Sequence, residues 1–190
     1  MKLGIYGGSF DPVHLGHLLV AQAAVEELGL DRLFFVPTAQ SPFKPANHSA
    51  PGPARLQLLR LALAGQSHYE VDDQELRRGG VSYTVDTLRS FATKYPGAQL
   101  FCLLGADNVA KLNEWREADE LARLAEFVAV PRPGGAPAGF PPRFRGHELR
   151  GFPFAVSSSQ IRARVQAGLS IKHLVPTAVA AAIASAGLYR

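Results

Sequence analysis

Two histidines, His14 and His17, stand three residues apart just behind a glycine pair, Gly7-Gly8, in the stretch GIYGGSFDPVHLGHL. The apolar run Leu3 to Tyr6 stops at the glycines, and a chain without Cβ atoms lets a ligand approach the backbone closely. A helix then starts near Leu15. The N–H groups of its first turn have no partner within the helix and form an anion site. His14 and His17 share one face of that turn. Two imidazoles, a glycine turn and a helix N-terminus together make a cradle for phosphates. Taken alone, the two histidines are also readable as surface residues at a helix start; the GGSFDP before them favours chemistry. The cradle is of neither common kind, since both GxxxxGK[ST] and GxGxxG are absent.

Three further stretches carry polar groups at the ends of elements. In SSSQIRARV, Ser157 and Gln160 have capping-box spacing, which marks a second helix N-terminus. Ser158 and Ser159 add hydroxyls there, and Arg162 follows one turn in, able to fork onto phosphate oxygens. The plainer reading is a capped helix. In LLGADN, Gly105 permits close approach, while Asp107 suits a ribose hydroxyl or caps the next helix. In GGVSYTVDTL, Ser82, Tyr83 and Thr84 precede a helix near Val85, with Thr84 as its natural cap. Trp115, the one tryptophan, lies in NEWRE and serves either packing or ring stacking.

These groups need a frame. Leu3–Tyr6, Leu33–Val36, Gln99–Leu104 and Phe127–Val130 read as buried strands, and Tyr69–Leu76 as a more polar, exposed one. Helical spacing joins Leu18, Ala21, Val25 and Leu28, then Leu56, Leu59 and Leu63, then Val85, Leu88 and Tyr95, then Ile161, Val165 and Leu169. An alanine-rich helix covers about 177 to 186. Strands alternating with helices predict an α/β fold, a doubly wound parallel sheet with helices on both faces. Ligands then bind beyond the carboxyl ends of the strands. The Pro- and Gly-rich segments Ser41 to Pro53 and Pro131 to Phe144 read as surface loops, the first at the ligand end.

With 190 residues, 47% of them hydrophobic, the chain suits one domain. The single cysteine, Cys102, excludes an internal disulfide and reads as a buried thiol in a reducing cytoplasm. No signal peptide and no apolar run near the roughly 20 residues of a membrane helix are visible. The net charge of +4 favours anionic ligands. It is spread along the chain rather than gathered in a nucleic-acid-binding tract.

In this order the motifs resemble those of the bacterial nicotinate-nucleotide adenylyltransferases, members of the nucleotidyltransferase superfamily with an HxGH motif, here His14-Leu15-Gly16-His17. GGSFDPVHLGHL, ELRRGGVSYTVDTL, LLGADNVAKLNEW, VAVPRPG, SSSQIRARV and the final GLY carry the resemblance nearly end to end. It implies one Rossmann-like nucleotidyltransferase domain over 1–190, helical from about 157. It implies transfer of the adenylyl group of ATP to nicotinate mononucleotide, giving nicotinate adenine dinucleotide and pyrophosphate. Mg²⁺ comes with ATP through its phosphates, and no protein metal site is expected. Nucleic acid and membrane are not partners, and oligomeric state stays open. The resemblance also implies roles. Gly8, Ser9 and Phe10 line the nucleotide site with backbone groups, and His14, His17 and Lys44 reach phosphate. Gly105 and Asp107 hold the adenosine end, Ser158 and Arg162 bind the triphosphate, and Tyr83, Thr84 and Trp115 surround the nicotinate ring. His14, His17, Lys44 and Arg162 form the catalytic set. The family pattern Pro-Pro-His-Lys is replaced here by Ser41-Pro42-Phe43-Lys44. Phe43 donates no hydrogen bond, so the role of that family histidine has no counterpart at this position; His48 lies close by in sequence. Two alternatives stay open: a sister adenylyl- or cytidylyltransferase acting on another phosphorylated acceptor such as phosphopantetheine, and a non-enzymatic nucleotide or RNA binder.

Overall fold

The computed structural model describes residues 1–42, 50–131, 139–152 and 154–190. Its centre is a six-stranded, all-parallel sheet built from β1 (Lys2–Gly8), β2 (Arg32–Pro37), β3 (Tyr69–Val71), β4 (Gln99–Gly105), β5 (Glu126–Val130) and β6 (Gly146–Glu148), in the order β3-β2-β1-β4-β5-β6. The helices are α1 (Leu15–Leu28), α2 (Gly52–Leu63), α3 (Gln74–Arg78), α4 (Thr84–Lys94), α5 (Ala118–Leu124), α6 (Ser158–Gln166) and α7 (Thr177–Ser185), with a 3₁₀ helix over Ala106–Glu114. The doubly wound parallel sheet expected from the alternation of patterns is the observed fold.

The central strands bury both faces, and their side chains sort by the two-residue period of a strand. Leu33, Phe35, Phe101, Leu103 and Val128 join a core with Ala21 and Ala24 of α1, Leu58 and Leu59 of α2, Ile161 of α6 and Val179 of α7. Ile5, Phe34, Val36, Leu100, Cys102, Phe127 and Ala129 face the opposite core, with Val85, Leu88 and Phe91 of α4 and Leu121 of α5. Burial pushes the Cys102 thiol up to about 12, so it is inert packing. Strand order reverses at β1, which pairs with β2 on one side and β4 on the other. The crevice at such a switch point opens beyond the carboxyl ends of the strands, here Gly7-Gly8 of β1 and Gly105 of β4.

Several boundaries differ from the sequence expectations. The polar strand at 69–76 ends at Val71. Asp72 Oδ1 accepts the Gln74 N–H at 2.9 Å, and that turn starts α3, which holds Leu76. The 161–169 helix stops at Gln166: the Leu169 N–H closes back on the Arg164 carbonyl at 2.8 Å, leaving Leu169 53% exposed. The loop from Ser41 gives way to α2 at Gly52. β6 is three exposed residues, GHE, with no apolar signal to announce it. The buried stripe of α2 is Arg55, Leu58, Leu59, Ala62 and Leu63; of the Leu56-Leu59-Leu63 face read from spacing, Leu59 and Leu63 lie on it and Leu56 is only half-buried.

Candidate active site

The segment between β1 and α1 is the heart of the site. Gly7 is exposed although it lies in a central strand, and nothing stands within 4 Å of where its Cβ would be. That is the open approach expected of the glycine pair. Gly8 has a different reason to lack a side chain, because a Cβ there would stand 3.0 Å from the Phe10 ring. Phe10 takes a left-handed φ of 45° and turns its ring into the core, 5.5 Å from Tyr6 and Phe35 and 5.0 Å from His17. Its backbone alone is left for a ligand.

His14 is the N-cap of α1, and its N–H donates to His17 Nδ1 at 3.2 Å. The rings lie 3.7 Å apart between centroids. His17 Nδ1 therefore carries no proton, and the neutral ring keeps one on Nε2. His14 Nδ1 is buried with no hydrogen-bond partner among the described residues. With the proton on Nε2, the group left unpaired there is the Nδ1 lone pair rather than an N–H donor. His14 is 6% exposed, so it is no surface residue. Burial pushes its pKa down to about 4. Burial, and then repulsion from His14, holds His17 well below the usual imidazole range. Both histidines are thus neutral N–H donors at pH 7. Gly16 of the HxGH motif now has a cause: a Cβ there would stand 3.0 Å from both Cε1 and Nδ1 of His14.

The far helix closes on the same segment. Ser157 caps α6 and, with Gln160, forms the expected capping box: Ser157 Oγ accepts the Gln160 N–H at 3.2 Å and Gln160 Oε1 accepts the Ser157 N–H at 2.9 Å. Ser158 Oγ donates to the Pro12 carbonyl at 2.8 Å. Arg162 donates from Nη1 to the Asp11 carbonyl at 2.7 Å and from Nη2 to Ser159 Oγ at 3.3 Å. Two helix N-termini, α1 and α6, therefore meet at residues 9 to 14, with His14, His17, Ser158 and Arg162 gathered around one loop.

Across the switch point, Gly105 ends β4 and Asp107 lies exposed in the first turn of the 3₁₀ helix. The cap of α4 is Tyr83, in extended conformation, and Thr84 is the first helical residue rather than the cap. The Arg116 guanidinium covers the Tyr83 ring at 4.6 Å, next in sequence to Trp115, which packs edge-on against Phe127. Arg116 thus draws the Trp115 corner to the start of α4. Lys44, with Phe43 and His48, lies outside the described residues. Among the described residues, no three His, Cys, Asp or Glu side chains group as a cation site, and no helix is long and apolar enough to cross a membrane.

Sequence reasoning missed the buried polar groups behind these loops. Asp11 Oδ1 accepts the Ala50 N–H at 3.2 Å and the Tyr189 hydroxyl at 2.8 Å, tying the last turn of the chain to the first loop. Glu75 accepts the Thr87 hydroxyl at 2.6 Å; burial raises its pKa, opposed by the Thr87 and Ser82 hydroxyls. Arg55 is 1% exposed. A signal existed for it: three, four and seven residues before Leu58, Leu59 and Ala62, Arg55 sits on an apolar stripe.

Fold and site define a nucleotidyltransferase-like class. The family model described as cytidylyltransferase-like matches residues 5–164. The chain is 42% identical to a probable nicotinate-nucleotide adenylyltransferase of Opitutus terrae, covering 100% of this chain and 98% of that protein. It is 42% identical to one from Gemmatimonas aurantiaca, covering 100% and 93%. Its fold matches that of the Plasmodium falciparum nicotinic acid mononucleotide adenylyltransferase complexed with NaAD, with a TM-score of 0.79 at 19% identity over 99% of this chain and 97% of that one. The chain belongs to the nicotinate-nucleotide adenylyltransferase family.

Proposed function

We propose that this protein transfers the adenylyl group of ATP to nicotinate mononucleotide, forming nicotinate adenine dinucleotide and pyrophosphate in NAD biosynthesis. The observation that carries this reading is the meeting of two helix N-termini, the His14–His17 pair and Arg162 at the switch point. The nucleophile is a phosphate oxygen of nicotinate mononucleotide. It attacks the α-phosphorus of ATP in line, an O–P bond forms, and the bond to the β-phosphate oxygen breaks as pyrophosphate leaves. A phosphate monoester with a second pKa near 6 is already largely dianionic at pH 7. No side chain has to remove a proton. Catalysis is then positioning and charge stabilisation.

In this reading the backbone of Gly8, Ser9 and Phe10 lines the triphosphate. His14 and His17 donate from Nε2 as neutral rings, and Arg162, Ser158 and Lys44 add donors as charge moves onto pyrophosphate. Gly105 and Asp107 hold the adenosine end. Tyr83, Thr84 and Trp115 hold the nicotinate ring, with Arg116 beside them. The donor set at the loop, N–H groups and a guanidinium instead of grouped carboxylates, fits an ion that enters on the nucleotide. Mg²⁺ bound through ATP phosphates supplies charge neutralisation there. The reaction has no need of nucleic acid or membrane, and the reading sets the protein in the cytoplasm. Pyrophosphate release with a panel of acceptors tests it. Release with nicotinate mononucleotide is expected, whereas release with phosphopantetheine instead, or with none, selects a sister enzyme or a binding protein.

A further inference from the structure

One buried guanidinium reaches the backbone at the ends of two central strands. Arg55, on the core face of α2, donates from Nη1 to the Ser9 carbonyl at 2.7 Å, from Nη2 to the Thr38 carbonyl at 2.9 Å and from Nε to the Ala50 carbonyl at 3.3 Å. Ser9 follows β1 and Thr38 follows β2. In a trans peptide the C=O and the next N–H point in opposite directions. The Ser9 carbonyl turned toward Arg55 therefore turns the Phe10 N–H away from it. That N–H makes no backbone–backbone hydrogen bond among the described residues. The Thr38 carbonyl turned toward Arg55 likewise aims the Ala39 N–H, which donates to Ser82 Oγ at 3.0 Å. Ser82 N–H donates in turn to the Gln40 carbonyl at 2.8 Å. Ser82 immediately precedes Tyr83 and Thr84 at the start of α4, and Glu75 lies behind them, bonded to Thr87.

We propose that Arg55 is a positioning residue that sets both nucleotide seats at once: it aims the Phe10 N–H for the ATP phosphates and, through the Thr38–Ala39 peptide and Ser82, fixes the start of α4 for the acceptor. The proposal rests on the adenylyl-transfer reading. Only a guanidinium spans the three carbonyls, because its donors lie in a rigid planar fork, whereas a lysine ammonium concentrates its donors on one atom. The nearby Asp11 carboxylate, itself held by the Ala50 N–H and the Tyr189 hydroxyl, balances the charge of Arg55.

The test is steady-state kinetics with each substrate varied separately, on wild type, Arg55→Lys, Ser82→Ala and, as a control, Leu58→Ala, with thermal melts of each. Arg55→Lys is expected to lower kcat/KM at least about tenfold for both ATP and nicotinate mononucleotide. Ser82→Ala is expected to raise KM for nicotinate mononucleotide at least about fivefold and to leave KM for ATP within about twofold. Leu58→Ala, which opens a cavity in the same helix, lowers stability but leaves both KM values within about twofold, so loss of stability does not mimic the effect. A folded Arg55→Lys protein with both constants near wild type overturns the proposal. Should Arg55→Lys not fold, Ser82→Ala decides alone, and an unchanged KM for nicotinate mononucleotide overturns it. A wild-type protein that releases no pyrophosphate overturns the adenylyl-transfer reading, and this proposal with it.

Discussion

Gly16 is where a single hydrogen atom decides the geometry of the site. Alanine is the better helix former by about 1 kcal/mol, so Gly16→Ala near the start of α1 does not weaken the helix. Its methyl, however, would press on the His14 ring from 3.0 Å and displace it from the tilted His17 ring beside it. We predict turnover reduced at least about tenfold in the folded variant; unchanged turnover contradicts the role given to the His14 ring. At this scale much was legible. His14, His17 and the Ser157–Gln160 box follow from local spacing, because their partners are three residues away. Arg55, Asp11 and Tyr189 were not, since their partners are distant: Tyr189 reaches Asp11 across 178 positions. The neutrality of the histidines was equally invisible, because it follows from burial, which no local pattern reports.

At the scale of elements, the proposed function gives the start of α4 the choice of acceptor. Nicotinate carries a carboxylate where nicotinamide carries a neutral amide. The first N–H groups of a helix favour the anion by roughly 0.3 to 2 kcal/mol, and the Arg116 cation over Tyr83 adds to this. The amide would turn its NH₂ toward donors and leave them unpaired. We predict that nicotinate mononucleotide is preferred over the amide by at least about tenfold in kcat/KM, which takes roughly 1.4 kcal/mol. Arg116→Met is expected to narrow that ratio. Competition kinetics with the two mononucleotides measure it, and equal use of both shows that α4 does not read the carboxylate. The central strands were legible as continuous apolar runs because both their faces are buried. β6 and the end of β3 were not, because edge segments of three residues take their conformation from the neighbouring strand rather than from their own side chains.

For the molecule as a whole, the buried histidines make stability depend on pH. The folded pKa of His14, about 4, lies below its unfolded value near 6.5. The unfolded chain therefore binds the proton first as pH falls. This contribution to stability is complete above about pH 6.5 and is lost down to about pH 4, amounting to at most about 3 kcal/mol at 1.36 kcal/mol per unit. Urea unfolding of wild type and His14→Gln across this range checks it. The stability difference between them should shift in favour of the variant as pH falls, and a constant difference contradicts a buried neutral His14. The two-sided winding was legible from the alternation of patterns, and with it the end of the sheet where the candidate site lies. The proposed function unites these features as attack at the α-phosphorus of ATP across the β1/β4 crevice. Following the label from ATP marked at its α-phosphate, with nicotinate mononucleotide as acceptor, tests that claim most directly. The account predicts label in nicotinate adenine dinucleotide and unlabelled pyrophosphate. Label in an inorganic product, with no labelled dinucleotide, would contradict it.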